Sequence, residues 1–314
     1  MGSPDFAVPS LAGLVDDGYQ ITLAVTQPDR PAGRGQRMRR PAVAVAADEL
    51  GIPVYQPTTL RTPESRGPIE AERPDVIVVA AFGLLLPLPI LDLPRRGCVN
   101  VHASLLPRHR GAAPIQACIL SGDPETGITI MAMDAGMDTG GIISQRSISL
   151  TSNDSAMELE PRLATLGRDL LRDTLPAWLD GSINPRPQDD ALATYAPKIK
   201  RSNAEMDWTR SAEECDRAVR AFRGWPNAFT YMDGKHLIVL ETRVIPDPPQ
   251  SAAPGFVVVQ RGAPWSPAVG TGSGLLQLVR VQPEGRRPMS AADLINGLPG
   301  VAGMRLGEHA NEAS

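Results

Sequence analysis

Asn100 and His102, two residues apart in "CVNVHASLLPRHRGAAP" (98–114), and Asp138, in the glycine-rich stretch "DAGMDTGG" (134–141), could do chemistry together. Valines at 99 and 101 alternate with Cys98, Asn100 and His102. In a strand, successive side chains point to opposite faces, so Cys98, Asn100 and His102 share one face. The Asn amide offers two N–H donors, and the imidazole exchanges protons near neutral pH. A carboxylate beside it favours the imidazolium and fixes the ring's orientation. Such a set suits acyl transfer through a tetrahedral intermediate. An amine attacks a carbonyl carbon, Asn and protonated His stabilise the oxyanion, and Asp accepts the amine proton directly or through water.

Each residue also has a structural reading, and spacing alone leaves both open. His102 suits a satisfied structural histidine, Asn100 a strand end bonded to backbone, and Asp138 an ordinary turn. Cys98 lies on the same face without a second His or matched base nearby, so it reads as buried apolar filler rather than a nucleophile. One His, one Asp and one Asn fall short of a usual metal-ligand set, so no metal is expected.

The elements that would position these residues alternate in the first half. "QITLAVT" (20–26) and "DVIVVAAF" (75–82) are β-branched runs of the kind found in buried parallel strands, and "GCVNVH" (97–102) and "GITIMAM" (127–133) continue the series. Helices are predicted over 9–17, 42–50 and 114–121, with prolines at 9 and 114 suiting first-turn positions. A strand over 141–150 and a helix over about 154–180 follow. This alternation predicts an α/β fold with a doubly wound, mostly parallel sheet, whose sites lie beyond the carboxyl ends of its strands.

The pattern changes after a segment rich in Pro and polar residues. A helix over 211–222 precedes several short strands, with Asp233-Gly234 as a hairpin turn. This predicts a smaller OB-like β-barrel domain. The expected division is 1–184 for the catalytic domain, 185–203 for a linker and 204–314 for the second domain.

Composition bounds the partners. At 42% hydrophobic and 21% charged, the 314 residues read as an ordinary globular chain. The net charge of −4 excludes a generally basic nucleic-acid binder but leaves room for a local basic patch. Three unpaired cysteines suit a reducing compartment, and neither a membrane span nor a leader stands out, so a cytoplasmic location is expected; a monomer is the expected oligomeric state.

"NVHASLLPRHRGAAPIQ" followed by "GITIMAMDAGMDTGG" resembles the signature of the 10-formyltetrahydrofolate-dependent formyltransferases. "GSPDFAVPSL", "TQPDRPAGRGQ", "VVAAFGLLLP", "MDW" and "RAFRGWP" are similar, in the same order, to the methionyl-tRNA formyltransferase branch of that family. The resemblance implies transfer of a formyl group from 10-formyltetrahydrofolate to the α-amino group of methionine on initiator tRNA, for translation initiation. It places the family's catalytic Asn, His and Asp on Asn100, His102 and Asp138. It places folate contacts on Ser104, Leu105, Leu106 and Pro107, with a pterin pocket bounded by the backbone of Phe82, Gly83, Leu84 and Leu85 and by the 134–138 turn.

"RPAGRGQRMRR" (30–40) holds five arginines, no acid and two glycines, and so reads as a flexible cationic loop. The resemblance assigns it to the acceptor end of the tRNA, through Arg34, Arg37, Arg39 and Arg40. Lys198 and Lys200 are further candidates for phosphate contact. Family members usually carry an apolar strand before "GSPDF", central in the expected sheet. Its absence here would leave ladder groups unpaired on both neighbours, and the expectation is a short upstream strand in the natural protein. Two other functions share parts of this pattern. A formyltransferase of a sugar-nucleotide amine or glycinamide ribonucleotide would use the same trio without needing the arginine segment. A non-catalytic folate or RNA binder would show binding without turnover.

Overall fold

The alternating segment Cys98–His102 is a strand buried along its whole length, and it lies inside a four-stranded sheet. The computed structural model describes residues 1–32, 37–248, 250–260, 262–263, 266–298 and 300–307, with backbone alone at Ala32 and Arg37. They fall into two compact units, one comprising Met1–Ile115, Pro124–Leu150 and Glu158–Lys198, the other Gln116–Asp123, Thr151–Met157 and Ile199–Ser314. Among the described residues no helix is long and apolar enough to cross a membrane.

The first half of the chain runs α1 (Val8–Asp16), β1 (Ala24–Val25), β2 (Arg30–Ala32), β3 (Arg37–Arg39), α2 (Ala42–Glu49), β4 (Val54–Tyr55), α3 (Pro63–Ala71) and β5 (Ile77–Val79). It continues through α4 (Leu88–Leu91), β6 (Cys98–His102), β7 (Arg110–Gly111), α5 (Pro114–Ser121), β8 (Glu125–Ala132), β9 (Ile142–Ser149), α6 (Ala156–Asp180) and β10 (Tyr195–Ala196). Proline near the first turn fits α1, where a missing N–H leaves no helical bond unmade. Thr62 caps α3 by accepting the Ser65 N–H at 3.4 Å.

Strand order in the main sheet is β5-β6-β8-β9. β5 and β6 are parallel, with Val79 opposite Asn100. "GITIMAM" departs from the expected parallel series: β8 is antiparallel to β6, placing Met131 opposite Asn100 and Thr129 opposite His102. β9 is antiparallel to β8 in turn. A fully buried apolar run looks the same in either direction, so composition could not separate the two.

β1 and β4 form a separate parallel pair. The dipeptide Met1–Gly2 lies between this pair and β5: the Gly2 N–H donates to the Val25 carbonyl at 3.0 Å, and the Ala80 N–H donates to the Met1 carbonyl at 2.9 Å. Elsewhere the two edges border a cavity of about 730 Å³, lined by Gln20, Leu23, Ile77 and Val78 among others. The strands expected over 20–26 and 75–82 are accordingly short. Their apolar side chains Val25, Ile77 and Val79 still pack with Phe82, Ile90 and Cys98 in one core.

The segment 185–203, expected as a linker, is not a free tether over its first half. Arg186 bridges to Ile142, and β10 pairs in parallel with β7. Its polar composition reflects hydrogen bonds to the first unit rather than solvent alone.

The second unit contains α7 (Ala212–Phe222), β11 (Phe229–Met232), β12 (Lys235–Ile245), β13 (Val257–Val258), β14 (Ala268–Gly270), β15 (Leu275–Pro283), β16 (Met289–Ser290) and α8 (Ala291–Asn296). Its six strands form one antiparallel sheet in the order β11-β12-β15-β14-β13, with β16 also on β15. Asp233 and Gly234, with φ of 50° and 68°, make the hairpin turn that their sequence announced. A capping box starts α7: Ser211 Oγ accepts the Glu214 N–H at 3.2 Å, and the Glu214 carboxylate accepts the Ser211 N–H at 3.0 Å. Val219, Trp208, Leu237, Val239 and Leu276 belong to its core.

Two threonines on β8 give a paired test of polar burial. Thr129 Oγ1 accepts the Leu106 N–H (3.1 Å) and Gln145 Nε2 (2.9 Å) and donates to the Ser104 carbonyl (2.6 Å). That exhausts a hydroxyl's capacity. Thr126 Oγ1 is buried with no partner. Thr129→Val should cost roughly 2–4 kcal/mol in urea unfolding, because it orphans buried backbone groups, whereas Thr126→Val should be neutral or stabilise by up to about 1 kcal/mol. Equal effects at the two positions would contradict this bonding pattern.

Candidate active site

Asn100 and His102 project from β6, and Asp138 reaches them from the turn that follows β8. Because β8 runs antiparallel, its end lies beside Val99, and the turn brings Asp138 to the sheet face that carries the pair. Asn100 Nδ2 donates to Asp138 Oδ1 at 3.4 Å, and His102 Nδ1 lies 3.7 Å from the same oxygen. The other carboxylate oxygen accepts the Gly111 N–H at 2.8 Å. The side chains of His102 and Asp138 are 6% and 16% exposed, enough for a reactant to reach the carboxylate edge and little more.

Hydrogen bonding fixes the imidazole tautomer. His102 Nε2 lies 3.1 Å from the His109 carbonyl oxygen, which can only accept, so Nε2 carries the proton. In the neutral ring the lone pair on Nδ1 then faces Asp138. Burial pushes the His102 pKa below the ordinary histidine value, and the Asp138 charge and the His109 hydrogen bond oppose that shift without overcoming it. Burial therefore disfavours the imidazolium that an adjacent carboxylate would by itself favour. Sequence shows the neighbour but not the depth of burial, and burial dominates here.

Cys98 shares the strand face but packs against α4, its Sγ 3.5 Å from the Ile90 carbonyl oxygen. Burial pushes its thiol up to about 12, which makes it a poor nucleophile at neutral pH. Among the described residues no group of three or more His, Cys, Asp and Glu side chains is placed to hold a metal.

The residues expected at a folate pocket divide. Phe82 is buried, and its carbonyl accepts from Ser3 Oγ and Gln27 Nε2 at 3.4 and 3.2 Å. Gly83 has φ of 80°, and a Cβ there would lie 2.8 Å from Gln27 Nε2. Leu84 is half-buried, and Leu85 is 74% exposed. Ser104 is buried and donates to the Arg108 carbonyl at 2.6 Å, while Leu106 packs with Met131 and Ile142. Both side chains are thus engaged inside the protein. Leu105 and Pro107 are half-buried.

Of the cationic candidates, Arg34 lies outside the described residues, and Arg37 is described by its backbone alone. The stretch expected as a flexible loop forms a hairpin on either side of residues 33–36, with Arg30 opposite Arg39 and Ala32 opposite Arg37. Arg39 is exposed. Arg40 instead binds Asp48 at 2.8 Å and Gln56 at 3.3 Å within the protein. Lys198 and Lys200 are exposed.

Sequence reasoning missed the residues that hold the trio. Gly111 lies within the quoted motif, yet nothing in the sequence marks it as a donor. Its φ is 126°, and a Cβ would lie 2.5 Å from the Ala196 carbonyl oxygen, so only glycine permits this approach of β7 to β10. Thr194 accepts the His109 N–H at 2.8 Å through its hydroxyl and the Arg110 N–H at 2.9 Å through its carbonyl. Gln188 donates to the turn that carries Asp138. The last two lie in the segment read as a linker, where no local pattern signals them.

In NMR titrations of the resting protein, the His102 ring is expected to carry its proton on Nε2 and to titrate below 6.5. Asp138→Asn removes the charge that raises the value and should move the midpoint further down. A midpoint above 6.5, or an upward move in the variant, would contradict the account.

The formyl transferase family profile matches residues 2–175, and that of the formyl transferase C-terminal domain matches residues 198–299. The chain is 44% identical over 309 residues to the methionyl-tRNA formyltransferase of Geobacter metallireducens, covering 98% of this chain and 97% of the relative. It is also 44% identical over 306 residues to that of Methylococcus capsulatus, covering 98% of each. Among solved structures, WlaRD, a sugar 3N-formyl transferase crystallised with dTDP and 5-N-formyl-THF, aligns over 91% of this chain and 97% of its own, with a TM-score of 0.64 and 16% identity, a likeness of fold. The chain therefore belongs to the formyl transferase family, carries both of its domains, and has methionyl-tRNA formyltransferases as full-length relatives.

Proposed function

We propose that this chain transfers the formyl group of 10-formyltetrahydrofolate to the α-amino group of methionine on initiator tRNA, in the cytoplasm, at Asn100, His102 and Asp138. The observation that carries the reading is the convergence of an amide donor and an imidazole lone pair on one partly exposed carboxylate. When bound, 10-formyltetrahydrofolate supplies an activated formyl carbon on nitrogen. Asn100 has a second N–H to offer the oxygen on which negative charge develops. The carboxylate of Asp138 takes the proton that the attacking amine must lose, directly or through water. With its Nδ1 lone pair, His102 can accept that proton in turn, and the neighbouring carboxylate then stabilises the imidazolium. Collapse of the tetrahedral intermediate breaks the bond to the folate nitrogen, which leaves with a proton returned from this pair.

Half-buried Leu84, exposed Leu85 and exposed Met137, the last next to Asp138 in sequence, offer apolar surface on the two segments expected to bound the pterin. Such surface suits one face of a flat heterocycle, with backbone polar groups at 82–85 and 134–138 reading its edge. For the nucleic acid, the hairpin register is informative. Arg30 and Arg39 are direct partners across the ladder, and like charges so placed destabilise a bare hairpin. A phosphate backbone would relieve that repulsion. Arg34, Arg37 and Arg39 are proposed as tRNA contacts, with Lys198 and Lys200 as weaker ones. Arg40 is more a brace for the hairpin's base.

His102→Ala and Asp138→Asn should each lower kcat/KM for methionyl-tRNA formylation by ~10²–10⁴, and Asn100→Ala by ~10²–10³. Full activity in all three would remove the trio from the mechanism. Replacing Arg37 and Arg39 with Ala should weaken binding of charged tRNA and flatten its dependence on log salt by about one unit per lost phosphate contact. Unchanged salt dependence, together with formylation of small amines run alongside, would favour a small-molecule acceptor instead.

A further inference from the structure

Asp138 sits in a turn with left-handed backbone, φ 53°, a conformation that a non-glycine residue keeps only when its surroundings impose it. Within the turn, Asp134 Oδ1 accepts from the Gly136 N–H and from Thr139 Oγ1 at 3.0 and 2.7 Å, and one amide holds the turn's backbone from outside. Gln188 Nε2 donates to the Asp138 carbonyl at 2.8 Å and to the Gly140 carbonyl at 2.7 Å, so both N–H groups go to the same turn. On the other side, Gln188 Oε1 accepts the Arg110 Nε–H at 3.0 Å. Two acceptors on one side and a donor on the other leave a single orientation for the amide. The Arg110 side chain is 2% exposed and is itself held by Asp190 at 2.7 Å. Its neighbour Gly111 donates to the Asp138 carboxylate.

We propose that Gln188 is a positioning residue for formyl transfer: through its two N–H groups it sets the backbone of the Asp138 turn, and Arg110 aims the amide. The inference rests on the reading of Asp138 as the group that handles the amine proton. Gln188 reaches the turn from the segment between α6 and β10, which couples the catalytic carboxylate to the strap 186–196. Glutamate at 188 would keep the bond to Arg110 but set a carboxylate against two carbonyls. The donors, rather than the side chain's size, should therefore be what matters.

The test uses the full chain with Gln188→Ala, Gln188→Glu and Asp138→Asn, each checked for native unfolding midpoint. Both Gln188 variants should lose ~10–100-fold in kcat, as expected for a misplaced group, with KM for folate and for charged tRNA within about twofold. The His102 titration, read by NMR without substrates, should move down in both, as it does in Asp138→Asn, because the carboxylate no longer faces the ring. His109, the other titratable group acting on His102, is left in place. Folded Gln188 variants with wild-type kcat and an unmoved His102 midpoint, beside an inactive Asp138→Asn, would overturn the inference. An active Asp138→Asn would instead overturn the reading beneath it. Recovery of activity in Gln188→Glu relative to Gln188→Ala would also count against the donor role.

Discussion

A carboxylate held against a buried imidazole is the constraint on which the chemistry proposed for the first unit depends. Taken from water, Asp138 needs donors, yet a full salt bridge would leave neither group free to move a proton. The structure resolves this with weak contacts to the reactive groups and strong ones to the backbone. The carboxylate is 3.4 and 3.7 Å from Asn100 and His102 but 2.8 Å from the Gly111 N–H. Backbone therefore holds the charge in place, and the side chains remain available to a substrate. Burial pushes the His102 pKa down, which favours the neutral ring whose Nδ1 would accept a proton in the proposed reaction.

Such an arrangement needs a rigid second layer, and here it comes from distant parts of the chain. The strap 186–196 returns after α6, pairs β10 with β7 and holds His109, Arg110 and the Asp138 turn through Thr194 and Gln188. From β8 and β9, Thr129 and Gln145 fix the backbone of residues 104–106. The motif around His102 is thus held by two sets of hydrogen bonds, from the strap and from the neighbouring strands. Ser104 and Leu106 serve these bonds, while exposed Leu85 and Met137 are left facing outward.

Charge follows a similar division of labour. The chain is acidic overall, so attraction to a polyanion has to be local. Arg30 and Arg39 face each other across the hairpin ladder, a pairing of like charges that a bound anion would relieve. Arg40, by contrast, is paired with Asp48 at the surface. Counting arginines in the segment could not tell these two uses apart, because the difference lies in which side chain finds a carboxylate.

Alternation by itself determined that Asn100 and His102 share a face, since the side-chain period of a strand is local geometry. The long helices were legible for the same reason, and so was the Asp233-Gly234 turn. Cys98 was legible as filler from what its neighbours lacked. Strand direction at β8, the hairpin in the arginine segment, the protonation of His102 and the roles of Gly111, Gln188 and Thr194 were not. Each depends on contacts between residues far apart in sequence, or on burial that such contacts create. Local pattern states which groups a segment can offer. Only the folded chain decides which of them meet, how deeply they are removed from water, and therefore which carry a charge.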